Sequence, residues 1–412
     1  MVILIRCNDI VSDPRAMKYV RYLDETKQDY VLIGWDRDGK MQDTDKAVYY
    51  HRHAGYNVGG IRAAWNRIGW MQFVVKTLRR LNIEGAVLHG CDLDGVYPAI
   101  VYNKMQPKSK KCRIIFDVFD WFSATLYEQP KPVLWAFKYM EKQSVQNSDF
   151  IIICEPERVE QIPYPIQEDK ISVLPNIPYF SNLDFLKKDE VNYFDNDLPT
   201  FSYVGGFVLT RCINEIISLA ERGIINLVIA GFGNSQIENR LKLLNTCPNV
   251  RYYGKVKYTD GLNIMYNSDI VYAMYSVSNP NHVYAAPNKY YEAQMLGRPL
   301  FTTKGTIVEH KVLQNGIGYV SGESLGEIET VIKHIEKNDM KQKGAKANLL
   351  WREKFSTYTD NFMRTNYQAI ITPPHYHIIL IFSELVRNYQ ICSGKSETFE
   401  ICDCLTWRRA AA

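Results

Sequence analysis

The most informative stretch of the sequence is Ala286-Pro-Asn-Lys-Tyr-Tyr-Glu-Ala-Gln-Met-Leu-Gly-Arg-Pro-Leu300. Its pattern predicts a helix that ends at Gly297 and leads into a short apolar strand. Lys289 and Glu292 are three residues apart, so they share one face near the start of that helix. The free N–H groups of this end suit a phosphate, and a carboxylate one turn later can accept two hydrogen bonds from a ribose diol. The stretch therefore indicates a nucleotide site, although an ordinary amphipathic helix with a surface Lys–Glu pair fits the same pattern.

Length and composition indicate a two-domain globular protein. A chain of 412 residues exceeds the size of one ordinary hydrophobic core. A net charge of +4, with 23% charged residues, argues against a dedicated nucleic-acid binder, which should be strongly and locally basic. Nine scattered cysteines without a Cys-x-x-Cys pair favour reduced thiols over a disulfide frame or a zinc site. Without a signal-peptide pattern or a long apolar run, we expect a cytoplasmic protein.

Apolar runs alternate with helical patterns twice along the chain. The first series covers residues 1–178, and the second covers residues 200–350. A polar segment at 179–199 predicts a linker between them. The predicted strands are residues 2–5, 30–34, 85–89, 113–117, 150–154, 200–204, 227–230, 250–253, 270–273 and 299–302. Such a repeat predicts an α/β fold with two Rossmann-like domains facing across a cleft, and ligands at the carboxyl ends of the strands.

The end of the chain departs from this repeat. Residues 351–371 are predicted to form a C-terminal helix that packs back on the N-terminal domain. Residues 372–412 show neither a helical nor a βα pattern, so we expect an irregular tail there.

Further motifs occur in a fixed order before the stretch at 286–300. They are Ser12-Asp-Pro-Arg15, Tyr30-Val-Leu-Ile-Gly-Trp-Asp-Arg37, Phe116-Asp-Val-Phe-Asp-Trp-Phe122, Ser148-Asp-Phe-Ile-Ile-Ile-Cys154, Val173-Leu-Pro-Asn176, and Tyr203-Val-Gly-Gly206 with Arg211. Together they resemble the GT-B glycosyltransferases, most closely the retaining family 4 type, over residues 1 to about 365. The resemblance implies transfer of a sugar from a UDP- or GDP-sugar to a glycan or lipid-linked glycan acceptor in polysaccharide or cell-surface glycan biosynthesis.

The resemblance also assigns roles to residues of the donor site. Arg211 and Lys289 would stabilise the departing diphosphate, because negative charge grows there in the transition state. Glu292 would hold the ribose, and Gly205 and Gly206 would shape the phosphate loop. The other expected donor contacts are Asn288, Tyr284 and His282. No cofactor is implied, and no metal is required, since cationic side chains and a helix end replace it.

The acceptor side is expected to contain Asp120, Asp9 and Arg15. The family often has a His-Asp pair in this loop, whereas this chain has Phe119-Asp120. Asp120 is therefore a possible catalytic base or a ligand for a sugar hydroxyl. A helix N-cap is the alternative.

A second departure concerns the transferred sugar. Many members carry two glutamates eight residues apart, and the residue eight before Glu292 is Tyr284. Asn281, His282 and Tyr284 itself are the alternative contacts for the sugar. Two other functions stay open, namely a sugar-nucleotide epimerase of the same fold and a non-catalytic glycosyltransferase-like partner subunit.

Two other patterns in the sequence contain residue types that could form a site. Residues 61–81 form a basic and apolar segment with Trp65 and Trp70, which fits a helix lying on the inner membrane surface or one packed on its own domain. Asp-x-Asp occurs at residues 36–38 and 92–94, where we expect solvated loops away from the donor site and no metal triad.

Overall fold

Short runs of valine, isoleucine and leucine form the centre of a seven-stranded parallel sheet in the first half of the chain. The strand order is β3-β2-β1-β4-β5-β6-β7, with Val2 of β1 opposite Tyr30 of β2 and Val87 of β4. The strands are β1 (Val2–Arg6), β2 (Tyr30–Asp36), β3 (Ala47–His51), β4 (Val87–Cys91), β5 (Arg113–Val118), β6 (Phe150–Ile153) and β7 (Ile171–Val173).

The second half of the chain repeats this arrangement with six parallel strands in the order β10-β9-β8-β11-β12-β13. These strands are β8 (Thr200–Val204), β9 (Asn226–Ala230), β10 (Val250–Tyr252), β11 (Ile270–Ala273), β12 (Leu300–Thr303) and β13 (Gly318–Ser321). The two parallel sheets confirm the predicted α/β class.

Helices connect the parallel strands, because each crossover must return the chain to the same end of the sheet. In the first half they are α1 (Pro14–Glu25), α2 (Gly60–Leu81), α3 (Leu93–Lys104), α4 (Phe122–Thr125) and α5 (Lys131–Asn147). In the second half they are α6 (Ile213–Glu221), α7 (Ser235–Leu243), α8 (Tyr258–Tyr266), α9 (Pro280–Val283), α10 (Asn288–Met295) and α11 (Ile307–Asn315). Four helices follow the last strand, namely α12 (Leu325–Lys333), α13 (Lys337–Leu350), α14 (Tyr358–Phe362) and α15 (Gln368–Ile371).

This computed structural model describes residues 1–54, 60–126, 129–180, 183–187 and 193–372. One compact unit spans Met1–Met363 and contains both sheets, and a second begins at Arg364. Apart from Thr372, the tail predicted at 372–412 lies outside the described residues. Among the described residues, no helix combines the length and the apolar character needed to cross a membrane.

The segment predicted as one C-terminal helix is divided into shorter pieces. A π-helical turn at Trp351–Phe355 follows α13, and α14 begins after a break at Ser356 and Thr357. The Tyr358 hydroxyl donates a 3.0 Å hydrogen bond to the carbonyl of Val173 in β7. This contact links α14 to the edge of the first sheet. The predicted domain boundaries stay predictions.

Of the four acids expected in solvated loops, Asp38 is exposed as expected, whereas Asp36 and Asp94 are buried. Asp36 is 3% exposed and lies 3.0 Å from His51 Nδ1. Asp94 is 8% exposed, and its carboxylate pairs with Arg67 Nε at 2.7 Å. The expectation of solvation was wrong for these residues, because strand ends and helix starts enclose them.

Candidate active site

A cleft of about 630 Å³ lies at the carboxyl ends of strands from both sheets. Its wall contains the segments that follow β1, β5, β6, β8 and β11, together with the start of α10. This is the edge at which parallel α/β sheets bind ligands. The residues that line it include Arg15, Phe119, Asp120, Arg158, Asn176, Gly205, Arg211, Tyr258, Asn281, His282, Asn288, Lys289 and Glu292.

Two cations occupy the second-domain side of the cleft. The Arg211 guanidinium lies 3.9 Å from the ring centre of Tyr275, and Lys289 Nζ lies 4.9 Å from that of Tyr203. Neither cation forms a salt bridge with a carboxylate of the described residues. Burial, assisted by the nearby Arg211 charge, lowers the pKa of Lys289 to about 8. These cations are therefore available to an anionic ligand.

The loop after β8 approaches Lys289 closely. Gly205 has φ +149°, and a Cβ atom there would lie 2.9 Å from Lys289 Nζ. A side chain at this position would push the lysine away, which explains the glycine. Gly206 follows, and its carbonyl accepts a 2.6 Å hydrogen bond from the Tyr203 hydroxyl. The tyrosine thus fixes the loop next to the cation.

Glu292 lies one turn into α10 and is 4% exposed. Its Oε1 accepts a 2.8 Å hydrogen bond from the hydroxyl of Tyr258. Burial raises the pKa of Glu292, while the charge of Lys289 and the Tyr258 bond act in the opposite direction. The sequence did not indicate Tyr258, whose role depends on a contact between α8 and α10.

The remaining predicted donor residues differ in their placement. Asn288, at the start of α10, and the buried His282 line the cleft. His282 Nδ1 lies 3.0 Å from the carbonyl oxygen of Ser276, so Nδ1 is the donor. Burial and the nearby Arg211 charge lower its pKa, which favours the neutral imidazole. Tyr284 is absent from the lining, and its hydroxyl donates to Glu160 at 3.3 Å.

Asp120 stands at the first-domain side of the cleft. Its Oδ1 accepts 3.1 Å hydrogen bonds from Arg158 Nη2 and from the side-chain amide of Asn281. The N-cap residue of α4 is Trp121, so the alternative role of Asp120 as a helix cap is wrong. Asp92 Oδ1 accepts from the backbone N–H of Phe119 at 2.9 Å and of Asp120 at 3.3 Å, which holds this loop in place.

The other two residues predicted on the acceptor side, Arg15 and Asp9, differ in their position relative to the cleft. Arg15 lines the cleft, but its guanidinium is bound to Asp117, with Nη2 and Oδ1 2.7 Å apart. Asp9 precedes the 3₁₀ turn Ile10–Ser12 and is not among the lining residues. Phe119, at the place of the family's histidine, lies 4.3 Å from the Arg6 guanidinium and 5.2 Å from that of Arg15.

Solved structures of similar architecture cover nearly the whole chain. Sucrose-phosphate synthase from Thermosynechococcus elongatus matches with a TM-score of 0.65 and 13% identity, over 95% of this chain and 99% of that one. HepE from Anabaena, in complex with UDP and glucose, matches with a TM-score of 0.62 and 10% identity, over 89% and 100%. The chain has the GT-B fold.

A third GT-B structure is similar over the same range. WaaG, a glycosyltransferase involved in lipopolysaccharide biosynthesis, matches with a TM-score of 0.59 and 13% identity, over 90% of this chain and 100% of that one. No protein-family model matches the sequence, and the search of curated proteins found no match. Identities this low establish the fold, so the activity must be argued from the site.

Two contacts of this GT-B chain join the halves beside the cleft. Asn176 donates from its side-chain amide to the carbonyl of Ala286 at 2.8 Å, just before α10. Glu155, which follows β6, accepts a 2.7 Å hydrogen bond from the Tyr291 hydroxyl and pairs with Lys311. Helix α10 and the residues just before it are therefore held from the first half of the chain at two points.

One described group has metal-ligand residue types, namely the buried His89, Cys91 and Asp117. Burial raises the pKa of the Cys91 thiol well above its ordinary value, which disfavours the thiolate that a metal needs. Asp117 already pairs with Arg15, and its pKa is held well below its ordinary value by that charge. The group therefore fits an internal ion-pair network better than a metal centre.

Proposed function

We propose that the chain is a retaining glycosyltransferase that moves a sugar from a UDP- or GDP-sugar to a glycan or lipid-linked glycan acceptor. The observation that carries the proposal is the pair of unpaired cations, Arg211 and Lys289, beside the buried carboxylate of Glu292. The two cations would bind a diphosphate, and the carboxylate would accept hydrogen bonds from a ribose diol. That HepE was solved with UDP and glucose is consistent with this assignment.

The proposed reaction breaks the bond between the anomeric carbon and the donor phosphate oxygen. Arg211, Lys289 and the free N–H groups at the start of α10 would stabilise the charge that grows on the leaving diphosphate. The acceptor oxygen forms its bond on the same face, and its proton passes to the leaving phosphate oxygen. Asp120 would bind a sugar hydroxyl, because Arg158 and Asn281 already hold its Oδ1.

Within this proposal, His282 and Asn281 contact the transferred sugar. Both are buried lining residues in the segment between β11 and α10. Tyr284 is directed to Glu160 and is the weaker sugar contact of the three. Arg15 and Asp9 remain proposals for the acceptor side, with Arg15 favoured by its place in the lining.

A lipid-linked acceptor would require contact with the inner membrane surface. Trp65 and Ile68 of α2 are 63% and 45% exposed, and Trp135 of α5 is 71% exposed. Trp70 does not belong to this face, because it is fully buried and donates a 2.8 Å hydrogen bond to the carbonyl of Asp94. We propose that the segment 61–81 lies on the membrane of a cytoplasmic enzyme involved in cell-surface glycan biosynthesis, with the exposed Trp65 and Ile68 facing the lipid.

A thermal-shift panel with UDP, GDP, ADP and CMP tests the donor assignment, since a ligand that binds the native state raises its melting temperature. We expect a shift with UDP or GDP that Glu292→Ala removes. Transfer or hydrolysis of a nucleotide sugar would then establish the activity. No binding of any nucleotide, together with no effect of Glu292→Ala, contradicts the proposal.

A non-catalytic partner subunit is the second candidate function. It is favoured by Phe119 at the place of the family's histidine and by Tyr284, which faces Glu160. Such a subunit would bind a nucleoside diphosphate without turning over any nucleotide sugar. Prolonged incubation with UDP-glucose and GDP-mannose, followed by analysis of released UDP and GDP, separates the two functions.

A further inference from the structure

The ribose-binding carboxylate of the proposed donor site has a single side-chain support. Among the described residues, Tyr258 is the hydrogen-bond donor to Glu292, and the bond reaches Oε1 alone. Each carboxylate oxygen can accept two hydrogen bonds, so both oxygens keep capacity for further donors. A glutamate at the end of a flexible side chain can rotate about its last bond unless a partner fixes it. The Tyr258 hydroxyl is that partner here.

Tyr258 is itself held in place on two sides. Its ring stacks on that of Phe180, which lies in the predicted linker at 179–199, with the ring centres 5.7 Å apart and 17° between the ring planes. Helix α8, which begins at Tyr258, packs tightly on the end of β8: a Cβ atom on Gly261 would lie 2.7 Å from Val204 Cγ1. The hydroxyl is therefore directed at Glu292 by contacts that do not involve a ligand.

The position of the ring also favours this role. Tyr258 as a whole is 39% exposed, but its hydroxyl reaches the buried carboxylate of Glu292. Its pKa lies well above the ordinary value, because burial and the Glu292 charge disfavour the phenolate. The hydroxyl thus stays protonated and is the donor in its bond to Glu292 Oε1.

We propose that Tyr258 is a positioning residue that orients Glu292 toward the two ribose hydroxyls and so makes the site selective for ribonucleotides over 2′-deoxyribonucleotides. This inference rests on the proposed function, because it assumes that Glu292 binds the ribose. A carboxylate fixed through one oxygen can accept from the 2′- and 3′-hydroxyls together. A rotating carboxylate accepts from one of them at a time, and discrimination between ribose and deoxyribose falls.

The test compares dissociation constants for UDP, GDP and ADP with those for their 2′-deoxy forms. For the wild-type protein we expect a preference for the ribonucleotide of about tenfold, the effect of one hydrogen bond to a charged group. In Tyr258→Phe, which keeps the ring against Phe180, we expect the preference to fall to about threefold or less. Tyr319→Phe is the matched control, since it removes another tyrosine–carboxylate bond, 2.8 Å to Asp339, outside the cleft.

Two further variants show whether Tyr258 acts through Glu292. Glu292→Gln is expected to lose the preference, and the double variant should show no further loss. A Tyr258→Phe protein that keeps the wild-type preference, or a wild-type protein that binds both sugars equally, overturns the inference. Failure of the wild-type protein to bind any of the six nucleotides would contradict the proposed function itself, so the two failures are distinguishable.

Discussion

The side-chain amide of Asn281, in the second domain, donates a 3.1 Å hydrogen bond to Asp120 Oδ1 in the first domain. Arg158 binds the same oxygen, also at 3.1 Å, from the first-domain side. The loop after β5 is thereby coupled to the segment that leads into α10. Under the proposed function, we expect a sugar donor that contacts this segment to affect the position of Asp120 through Asn281.

We expect Asp120→Ala and Asn281→Ala to be non-additive in kcat/KM. Removal of one partner already breaks the bond, so the second change should cost less, with a coupling of about 1 kcal/mol. A double-mutant cycle measured with the nucleotide sugar that the protein turns over gives this coupling energy. The pair Tyr319 and Asp339 is the control, because its 2.8 Å bond lies outside the cleft lining and its removal should leave kcat/KM nearly unchanged. Additivity at Asp120 and Asn281 would show that the two residues act independently.

Lys289 predicts a pH dependence of nucleotide binding. Its pKa is lowered to about 8, mainly by burial, so the cation is present below pH 8 and is lost as the pH rises above it. Since a diphosphate binds the protonated form, the affinity for UDP or GDP should fall by up to about tenfold per pH unit above pH 8. In Lys289→Arg the decline should vanish over the same range, because guanidinium stays protonated. Titration calorimetry from pH 6.5 to 9.5 measures both proteins, and equal slopes would exclude Lys289 from the site.

The central strands and the edge strand β10 were predictable from sequence, whereas the edge strands β3, β7 and β13 were not. Strand β1 is buried on both faces, so its sequence is a continuous apolar run. Strands β3, β7 and β13 are partly exposed, and their sequences mix polar with apolar residues. A partly exposed strand need not be a continuous apolar run, so these three strands gave a weaker signal.

In the site, contacts between residues close in sequence were predictable, whereas contacts between residues distant in sequence were not. The proximity of Lys289 and Glu292 follows from helix periodicity, and the place of Gly205 follows from a turn after an apolar strand. The bond between Tyr258 and Glu292 joins residues 34 positions apart, so only the packing of α8 against α10 creates it. Tyr284 was expected in the donor site by counting residues back from Glu292. The short helix α9 precedes it, and its hydroxyl lies against Glu160.

Lys18 predicts a variant that is more stable than the wild type. The side chain is 4% exposed, its Nζ is 3.3 Å from the carbonyl of Pro175, and burial lowers its pKa to about 7. The native state then holds fewer protons than the unfolded chain between pH 7 and 10.5, so stability rises with pH across that window. Below pH 7 the full cost of the buried cation is present, on the order of 4 kcal/mol.

Lys18→Met removes this cost without removing much volume. We expect its melting temperature to exceed that of the wild type by several degrees at pH 6.5, with a smaller difference at pH 9.5. Replacement of the exposed Lys341 by methionine should leave the melting temperature nearly unchanged at both pH values. A destabilised Lys18→Met protein, or a difference that does not depend on pH, would contradict the prediction.

The contact of Lys311 with Glu155 predicts a loss of stability that grows with pH. Glu155 is 3% exposed, and burial raises its pKa despite the opposing charge of Lys311. When the pKa of a carboxyl group is raised in the native state, the protein becomes less stable as the pH rises above the ordinary pKa of glutamate. Removal of Lys311 raises the pKa of Glu155 further. Lys311→Met should therefore lower stability by about 3 kcal/mol at pH 8, the cost of an unpaired buried charge, and by much less at pH 5. Chemical denaturation at both pH values measures the difference.

Lys333→Met is the matched control, because Lys333 is 61% exposed in its pair with Glu329 and should change stability by less than about 1 kcal/mol. An equal loss in the two variants would mean that the buried pair does not hold the first domain against α11.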